Sequence, residues 1–395
     1  MKVLQINSVC GIRSTGRICT DIADILKENG DECRVAYGRE SVPELYNDIA
    51  VRIGNNVDVN CHALMSRVFD NTGHGSKNAT KKFLKWVDDY NPDVIHLHNL
   101  HGYYINLELL FQYLKKVQKP VVWTLHDCWA FTGHCAHFDI VGCNKWKNEG
   151  CYNCPQKKRY PVSIFFDRSK KNFLEKKQLF LGLNDMTIVT PSQWLADLVK
   201  QSFLGIYPVK VIHNGIDLNV FKPTHSGDFR EKYGLQDKKI LLGVASSWSK
   251  TKGLYDFEKI NQIKAEDEVV VLVGLKQEQL DTLPDGIIGI TRTNNVQELA
   301  EIYTTADVFL NPTYVDSYPT VNLEAQACGT PVVTYKTGGS VESVLKDFIV
   351  PQGDVEALLS RGRECIESPR IVDNSMFSKS ICYNQYVKLY RKIGS

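Results

Sequence analysis

From Ala306 to Ser343 the chain reads ADVFLNPTYVDSYPTVNLEAQACGTPVVTYKTGGSVES. Val308-Phe309-Leu310 is an uninterrupted apolar run that predicts a buried strand, stopped by Asn311-Pro312. A loop with Asp316 and Ser317 follows, then a short helix. Pro319 suits the first turn of that helix, where a missing N–H costs nothing, and Gly329 suits the position just past its end. Val332-Val333-Thr334-Tyr335 predicts another strand, and Gly338-Gly339 opens another turn into a helix. Two successive strand–turn–helix units send their loops and helix N-termini to one edge of a parallel sheet. Unpaired N–H groups collect at such an edge, and anions bind there.

Asp316 in the loop and Glu324 in the helix stand eight positions apart. Next to a phosphate they would repel it. An ionised carboxylate only accepts hydrogen bonds, so these two need hydroxyls or cations as partners; a ribose diol and a sugar hydroxyl pair would serve. Taken singly, each also reads as a solvated loop acid or an ordinary helix glutamate.

The whole segment resembles the acid-x7-acid signature of family 4 retaining glycosyltransferases, which have the GT-B fold. The usual form has Glu at both ends and continues as Glu-Ala-x-Ala-x-Gly-x-Pro-Val. Glu324-Ala325-Gln326-Ala327-Cys328-Gly329-Thr330-Pro331-Val332 matches that run. Asp316 departs from it: the charge is kept and the reach is one methylene shorter.

A chain of 395 residues is too long for one compact core and suits two domains. Hydrophobic residues at 43% and charged residues at 23% are ordinary for a globular protein, and a net charge of +2 argues against a chain-wide nucleic-acid footprint. Neither a secretory signal nor an apolar run of about 18 residues is expected, which predicts a cytoplasmic protein. Of the twelve cysteines, Cys10, Cys19, Cys33, Cys61, Cys328, Cys365 and Cys382 are scattered and read as reduced, mostly buried thiols.

Val3 to Asn7 predicts the first strand, and Cys10 to Gly16 a glycine loop into a helix with Ile18, Ile22, Ile25 and Leu26 on its apolar face. The dinucleotide fingerprint Gly-x-Gly-x-x-Gly is absent there. Residues 41–75 are poorly patterned. His96, His98 and His101 invite a metal reading, but no carboxylate is spaced to complete a site, which favours packed or hydrogen-bonded roles. Val121 to Leu125 is a strand that delivers His126-Asp127 to its C-terminal end, where ligands gather in open α/β sheets.

Cys135, Cys143, Cys151 and Cys154 follow with the spacing C-x7-C-x7-C-x2-C. The close pair is a frequent zinc half-site, and all four would close a tetrahedral structural site; disulfides, disfavoured in a cytosolic chain, and free thiols are the alternatives. Between Lys145 and Lys177, ten lysines and arginines face only Glu149, Asp167 and Glu175, with aromatic residues interleaved. Such a basic amphipathic segment can lie on an anionic membrane, or it is a solvated face over ordinary core.

The resemblance covers nearly the whole chain and uses separated motifs in the expected order. It implies two Rossmann-like parallel-sheet domains facing a central cleft: an acceptor domain over residues 1–221 with the cysteine-rich basic insert at about 128–182, a nucleotide-sugar domain over 222–375, and a last helix, 376–395, crossing back. It implies a hexosyltransferase using a nucleotide-diphosphate sugar, UDP-sugar favoured, with a glycan or lipid-linked glycan as acceptor and no catalytic metal. The implied contacts are Gly16 to the donor phosphates, Lys252 and Lys250 as a diphosphate clamp, and Glu324 on the ribose. Asp316 would hold the transferred sugar, Gly339 would admit the nucleotide with Thr320 and Glu342 nearby, and His126 would face the reaction. An arginine usual in the clamp is missing, and Lys250 stands in for its charge. A sugar-nucleotide epimerase of the same fold and a non-catalytic sugar-nucleotide-binding protein are the rival expectations.

Overall fold

The structure, a computed structural model, describes residues 1–147, 150–224, 229–368 and 372–394. It divides into two compact units, Met1–His213 with Tyr383–Ser395, and Asn214–Cys382. Each is a parallel sheet with helices packed against its faces.

In the first unit the strands are β1 (Lys2–Asn7), β2 (Glu32–Tyr37), β3 (Ala50–Arg52), β4 (Val94–Leu97), β5 (Val121–Thr124), β6 (Met186–Thr190) and β7 (Val209–Val211). They run in the order β3-β2-β1-β4-β5-β6-β7, every pair parallel. β4, β5 and β6 are buried at every residue, which is why they read as apolar runs rather than alternating ones. The strand order reverses between β1 and β4. At such a switch point the two loops diverge to opposite faces and leave a crevice at the C-terminal strand ends.

The second unit contains β8 (Lys239–Val244), β9 (Glu268–Val273), β10 (Ile287–Ile290), β11 (Val308–Asn311), β12 (Val332–Tyr335) and β13 (Ile349–Val350). Their order is β10-β9-β8-β11-β12-β13, again all parallel, with the switch between β8 and β11. One core cluster of this unit gathers Leu242, Val271, Phe309 and Leu323, and another gathers Leu241, Val270, Leu310 and Val333. Successive strand residues fall in different clusters because side chains alternate between the faces of a sheet.

Three sequence expectations change. Residues 41–75 hold β3 and a helix, Asn56–Phe69, whose N-cap Asn55 accepts from the N–H groups of Val57 and Asp58. The first helix already starts at Arg13, so Gly16 lies buried in its first turn, its carbonyl accepting the Gly11 N–H at 3.0 Å. Gly338 to Glu342 form a single 3-10 turn rather than a longer helix. Among the described residues no helix is long and apolar enough to cross a membrane.

Candidate functional site

The second unit's switch point brings two distant loops together. The loop after β8 ends in a 3-10 turn, Lys250–Lys252, followed by Gly253 at φ +78°. A Cβ on Gly253 would stand 2.4 Å from the Pro312 carbonyl oxygen, so only glycine lets this turn close onto the loop after β11. The Tyr314 N–H donates to the Thr251 carbonyl at 2.9 Å and joins the same two loops. The result is an ion pair: Lys252 Nζ lies 2.6 Å from Asp316 Oδ2 and 3.4 Å from the Val315 carbonyl. Asp316 Oδ1 accepts the Tyr318 N–H at 3.2 Å, and its carbonyl accepts the Gly339 N–H at 3.0 Å. Asp316 is therefore held on both sides while its carboxylate stays partly exposed.

Glu324 is buried, and its Oε2 accepts the Tyr303 hydroxyl at 3.0 Å. Thr320 starts the helix Thr320–Ala327 behind Pro319. Beneath the Gly338–Glu342 turn runs a polar network that the sequence did not reveal. Asn322 Nδ2 donates to Ser343 Oγ at 2.8 Å, Asn311 Nδ2 donates to Asn322 Oδ1 at 2.7 Å, and the Thr334 and Ser340 hydroxyls meet at 2.7 Å. Buried polar groups with full partners rigidify what they carry, and here that is the turn with Gly339 and Glu342. Lys250 is exposed on its turn and Lys252 half-exposed, so both remain accessible to an anion.

In the first unit, the ends of β4 and β5 carry a histidine cluster. His126 Nε2 lies 3.1 Å from His98 Nδ1, with the rings within 11° of parallel. Burial pushes the His126 imidazole down to about 4, so it is neutral at pH 7. Asp127 points elsewhere: its Oδ2 sits 2.8 Å from His101 Nε2, and its Oδ1 accepts the Trp129 N–H at 2.8 Å. Burial raises the Asp127 carboxyl, but the neighbouring His101 outweighs it and brings the group down to about 2. His101 Nδ1 meets the Tyr160 hydroxyl at 3.0 Å. The His101–Asp127–Tyr160 arrangement escaped the sequence reading, which considered His101 only beside His96 and His98. The reading of His96 and His98 as hydrogen-bonded groups agrees with their contacts: His96 lies 2.7 Å from Thr124 Oγ1 and 2.6 Å from the Tyr390 hydroxyl.

The four cysteines of the insert line one small cavity, around an aromatic core of Phe131, Phe138 and Trp146. All are free thiols; Cys135 and Cys154 share a hydrogen bond, and Cys151 Sγ accepts the Gly133 N–H at 3.1 Å. Among the described residues no group of three or more His, Cys, Asp or Glu is arranged to hold a metal ion. Beside the thiols, His134 is buried, its Nδ1 2.6 Å from Asp70 Oδ1 and its Nε2 without a partner.

The basic stretch is not one amphipathic face. Its helix covers only Ser169–Phe180, Phe173 and Phe180 belong to the core, and Glu149 lies outside the described residues. Lys176 is buried, donating to the Trp129 carbonyl at 2.7 Å and the Thr132 carbonyl at 3.1 Å, with Nζ 3.5 Å from the Trp129 ring centroid. Burial pushes its ammonium down to about 7. Ile164, Phe165 and Phe166 are exposed instead.

Two parallel-sheet units with ligand-type loops at each switch point define the GT-B class, and known proteins agree. Over 99% of this chain and 98% of its own, the sucrose-phosphate synthase from Thermosynechococcus elongatus superposes with a TM-score of 0.70 at 15% identity. Anabaena HepE in complex with UDP gives 0.63 at 17% identity over 100% of this chain and 98% of its own. In sequence, the chain is 25% identical over 358 residues to the putative colanic acid biosynthesis glycosyl transferase WcaC of Escherichia coli (strain K12), covering 88% of this chain and 86% of that protein. The putative glycosyltransferase YtcC of Bacillus subtilis (strain 168) is 30% identical over 45% of this chain and 49% of its own length. Residues 15–220 match the family model described as Glycosyltransferase Family 4, and residues 238–368 the one described as Glycosyl transferases group 1. The chain belongs to glycosyltransferase family 4.

Proposed function

We propose that this enzyme transfers a hexose from a UDP-sugar to a glycan or lipid-linked glycan, with retention at the anomeric carbon and no catalytic metal. The observation that carries the reading is the Lys252–Asp316 pair, 2.6 Å apart at the second sheet's switch point. A cation is held where a leaving diphosphate gains charge, beside an acid that can accept from sugar hydroxyls. Electrostatic help of this kind lowers a barrier most when it is in place before the charge develops. Lys252, with Lys250 on the same turn, would draw off charge as the bond from the anomeric carbon to the diphosphate breaks. The acceptor oxygen bonds that carbon on the same face, and its proton leaves with the diphosphate. Glu324 would hold the ribose, with Thr320, Gly339 and Glu342 around the nucleotide. Gly16 and His126 are proposed ligand contacts of the first unit, which would hold the acceptor. HepE, whose structures were solved with UDP and with UDP-glucose, supports uridine as the base.

We also propose that the protein sits peripherally on the cytoplasmic face of an anionic membrane. Leu64, Met65 and Phe69 on the helix Asn56–Phe69 are exposed together with Ile164, Phe165 and Phe166, and the rings of Phe69 and Phe166 stack at 5.7 Å. Lys157, Lys158 and Arg159 flank them in sequence.

The test of the transfer is turnover of UDP- and GDP-hexoses with and without glycan acceptors. Slow release of free hexose from one UDP-sugar, accelerated by an acceptor and giving an anomer-retaining product, is expected. An epimerised donor with no need of acceptor, or binding without turnover, would replace this reading.

A further inference from the structure

The ends of β1, β4 and β5 carry a hydrogen-bond chain whose direction follows from the chemistry of its members. Gln5 Nε2 donates to the Cys19 carbonyl at 2.8 Å and to Cys33 Sγ at 3.3 Å. Those acceptors identify the amide nitrogen, so it is Oε1 that faces His98 Nε2 at 3.0 Å. An amide oxygen only accepts, and His98 Nε2 must carry hydrogen. Burial holds the His98 imidazole well below its usual pKa, so the ring is neutral and its Nδ1 is bare. His126 Nε2, 3.1 Å from that nitrogen, is then the donor. A neutral His126 with hydrogen on Nε2 has its lone pair on Nδ1. No described residue donates to this Nδ1, and the side chain is partly exposed. His96, its ring centroid 3.9 Å from that of His98, has both nitrogens occupied by Thr124 and Tyr390 and does not compete.

We infer that Gln5 and His98 form a relay that sets His126 in its Nε2–H tautomer, so that His126 Nδ1 accepts a hydrogen bond from a sugar hydroxyl and discriminates against phosphate and carboxylate oxygens. Gln5 and His98 are positioning residues; the sugar contact rests on the proposed role of His126. The opposite tautomer would present an N–H, which favours an anionic oxygen. A hydrogen-bond partner on one ring nitrogen that selects the working state of the other is a general device.

Long-range 1H–15N correlation spectra of the full chain, labelled with 15N-histidine, test the relay. At neutral pH, His98 and His126 should each show one protonated Nε2 and one bare Nδ1. A His126 that is charged, or protonated on Nδ1, overturns the relay whatever any variant does. Gln5→Met keeps the length and removes the accepting oxygen, leaving a buried His98 N–H unpaired. In a folded Gln5→Met protein both rings should move toward the Nδ1–H form, and an unchanged His126 signature removes Gln5 from the relay. Methyl glucoside, galactoside and mannoside, added in turn, should shift the His126 Nδ1 signal upfield for at least one sugar, and inorganic phosphate should not. If the tautomers are as expected but no glycoside moves that signal, or phosphate does, the sugar contact is overturned while the hydrogen-bond chain stands.

Discussion

Lys252 and Asp316 are 64 positions apart in sequence and 2.6 Å apart in the fold. The pair exists because β8 and β11 are neighbours and because Gly253 can take a left-handed turn against Pro312. In the resting protein Asp316 supplies the counter-charge for an ammonium proposed to meet a diphosphate. Lys252→Ala should therefore lower turnover by about 10²–10³, the scale of losing one charge-stabilising donor. Its far-ultraviolet circular dichroism should not change; near-normal turnover of the folded variant would take Lys252 out of the reaction. Asp316→Glu should keep more activity than Asp316→Asn in the same assay. Glu retains the charge and only lengthens the reach, while Asn leaves the ammonium unpaired and turns an acceptor into a partial donor. A milder Asn variant would mean that the carboxylate does not touch the sugar.

Two elements of the first unit make predictions of their own. His62, buried on the helix Asn56–Phe69, accepts the N–H groups of Gly73 and Gly75 on Nε2, each at 3.1 Å. Burial pushes this imidazole down to about 4. Since the folded value lies below the unfolded one of about 6.5, the unfolded chain binds the proton first. The stabilisation is complete above pH 6.5 and is lost as the pH falls toward 4, by on the order of 3 kcal/mol for this residue. Urea midpoints should drop as the pH falls from 6.5 toward 4, and His62→Gln, though less stable at neutral pH, should show a shallower drop across that window. The cysteine insert is proposed to hold one structural zinc through Cys135, Cys143, Cys151 and Cys154. The four thiols line a common cavity. Protein purified without added metal should then contain about one zinc per chain, with sulfur at roughly 2.3 Å by X-ray absorption. Zinc-free protein with every insert thiol titratable would leave Phe131, Phe138 and Trp146 to hold the insert by packing.

For the whole molecule the prediction concerns membranes. A phenylalanine side chain taken out of water contributes about 1.5–3 kcal/mol, and each basic residue near an anionic surface about 1 kcal/mol. The exposed cluster around Phe69, Phe165 and Phe166 should therefore drive co-sedimentation with phosphatidylglycerol vesicles, weaker with phosphatidylcholine and weaker still at high salt. The double substitution Phe165→Glu and Phe166→Glu should reduce binding at least about tenfold. Equal binding to both lipids, or binding untouched by the substitutions, would assign the patch to another partner.

The linear order of residues was enough to determine most of the strands, though not the short β3. Val3 to Asn7, Val308 to Leu310 and Val332 to Tyr335 lie where apolar runs place them. These are local properties, decided within a few residues of chain. The family resemblance was legible for the same reason, since Glu324 to Val332 is one continuous run. The helix Asn56–Phe69 was not legible, because Leu64, Met65 and Phe69 face solvent while His62 and Ser66 are buried, which reverses the pattern that amphipathicity relies on. Nor could the sequence show that Asp127 pairs with His101 rather than with its neighbour His126, or that His126 meets His98. Those contacts depend on which strands lie side by side. Strand order is settled by burying both faces of each sheet at once, a property of the assembled core and of no single segment.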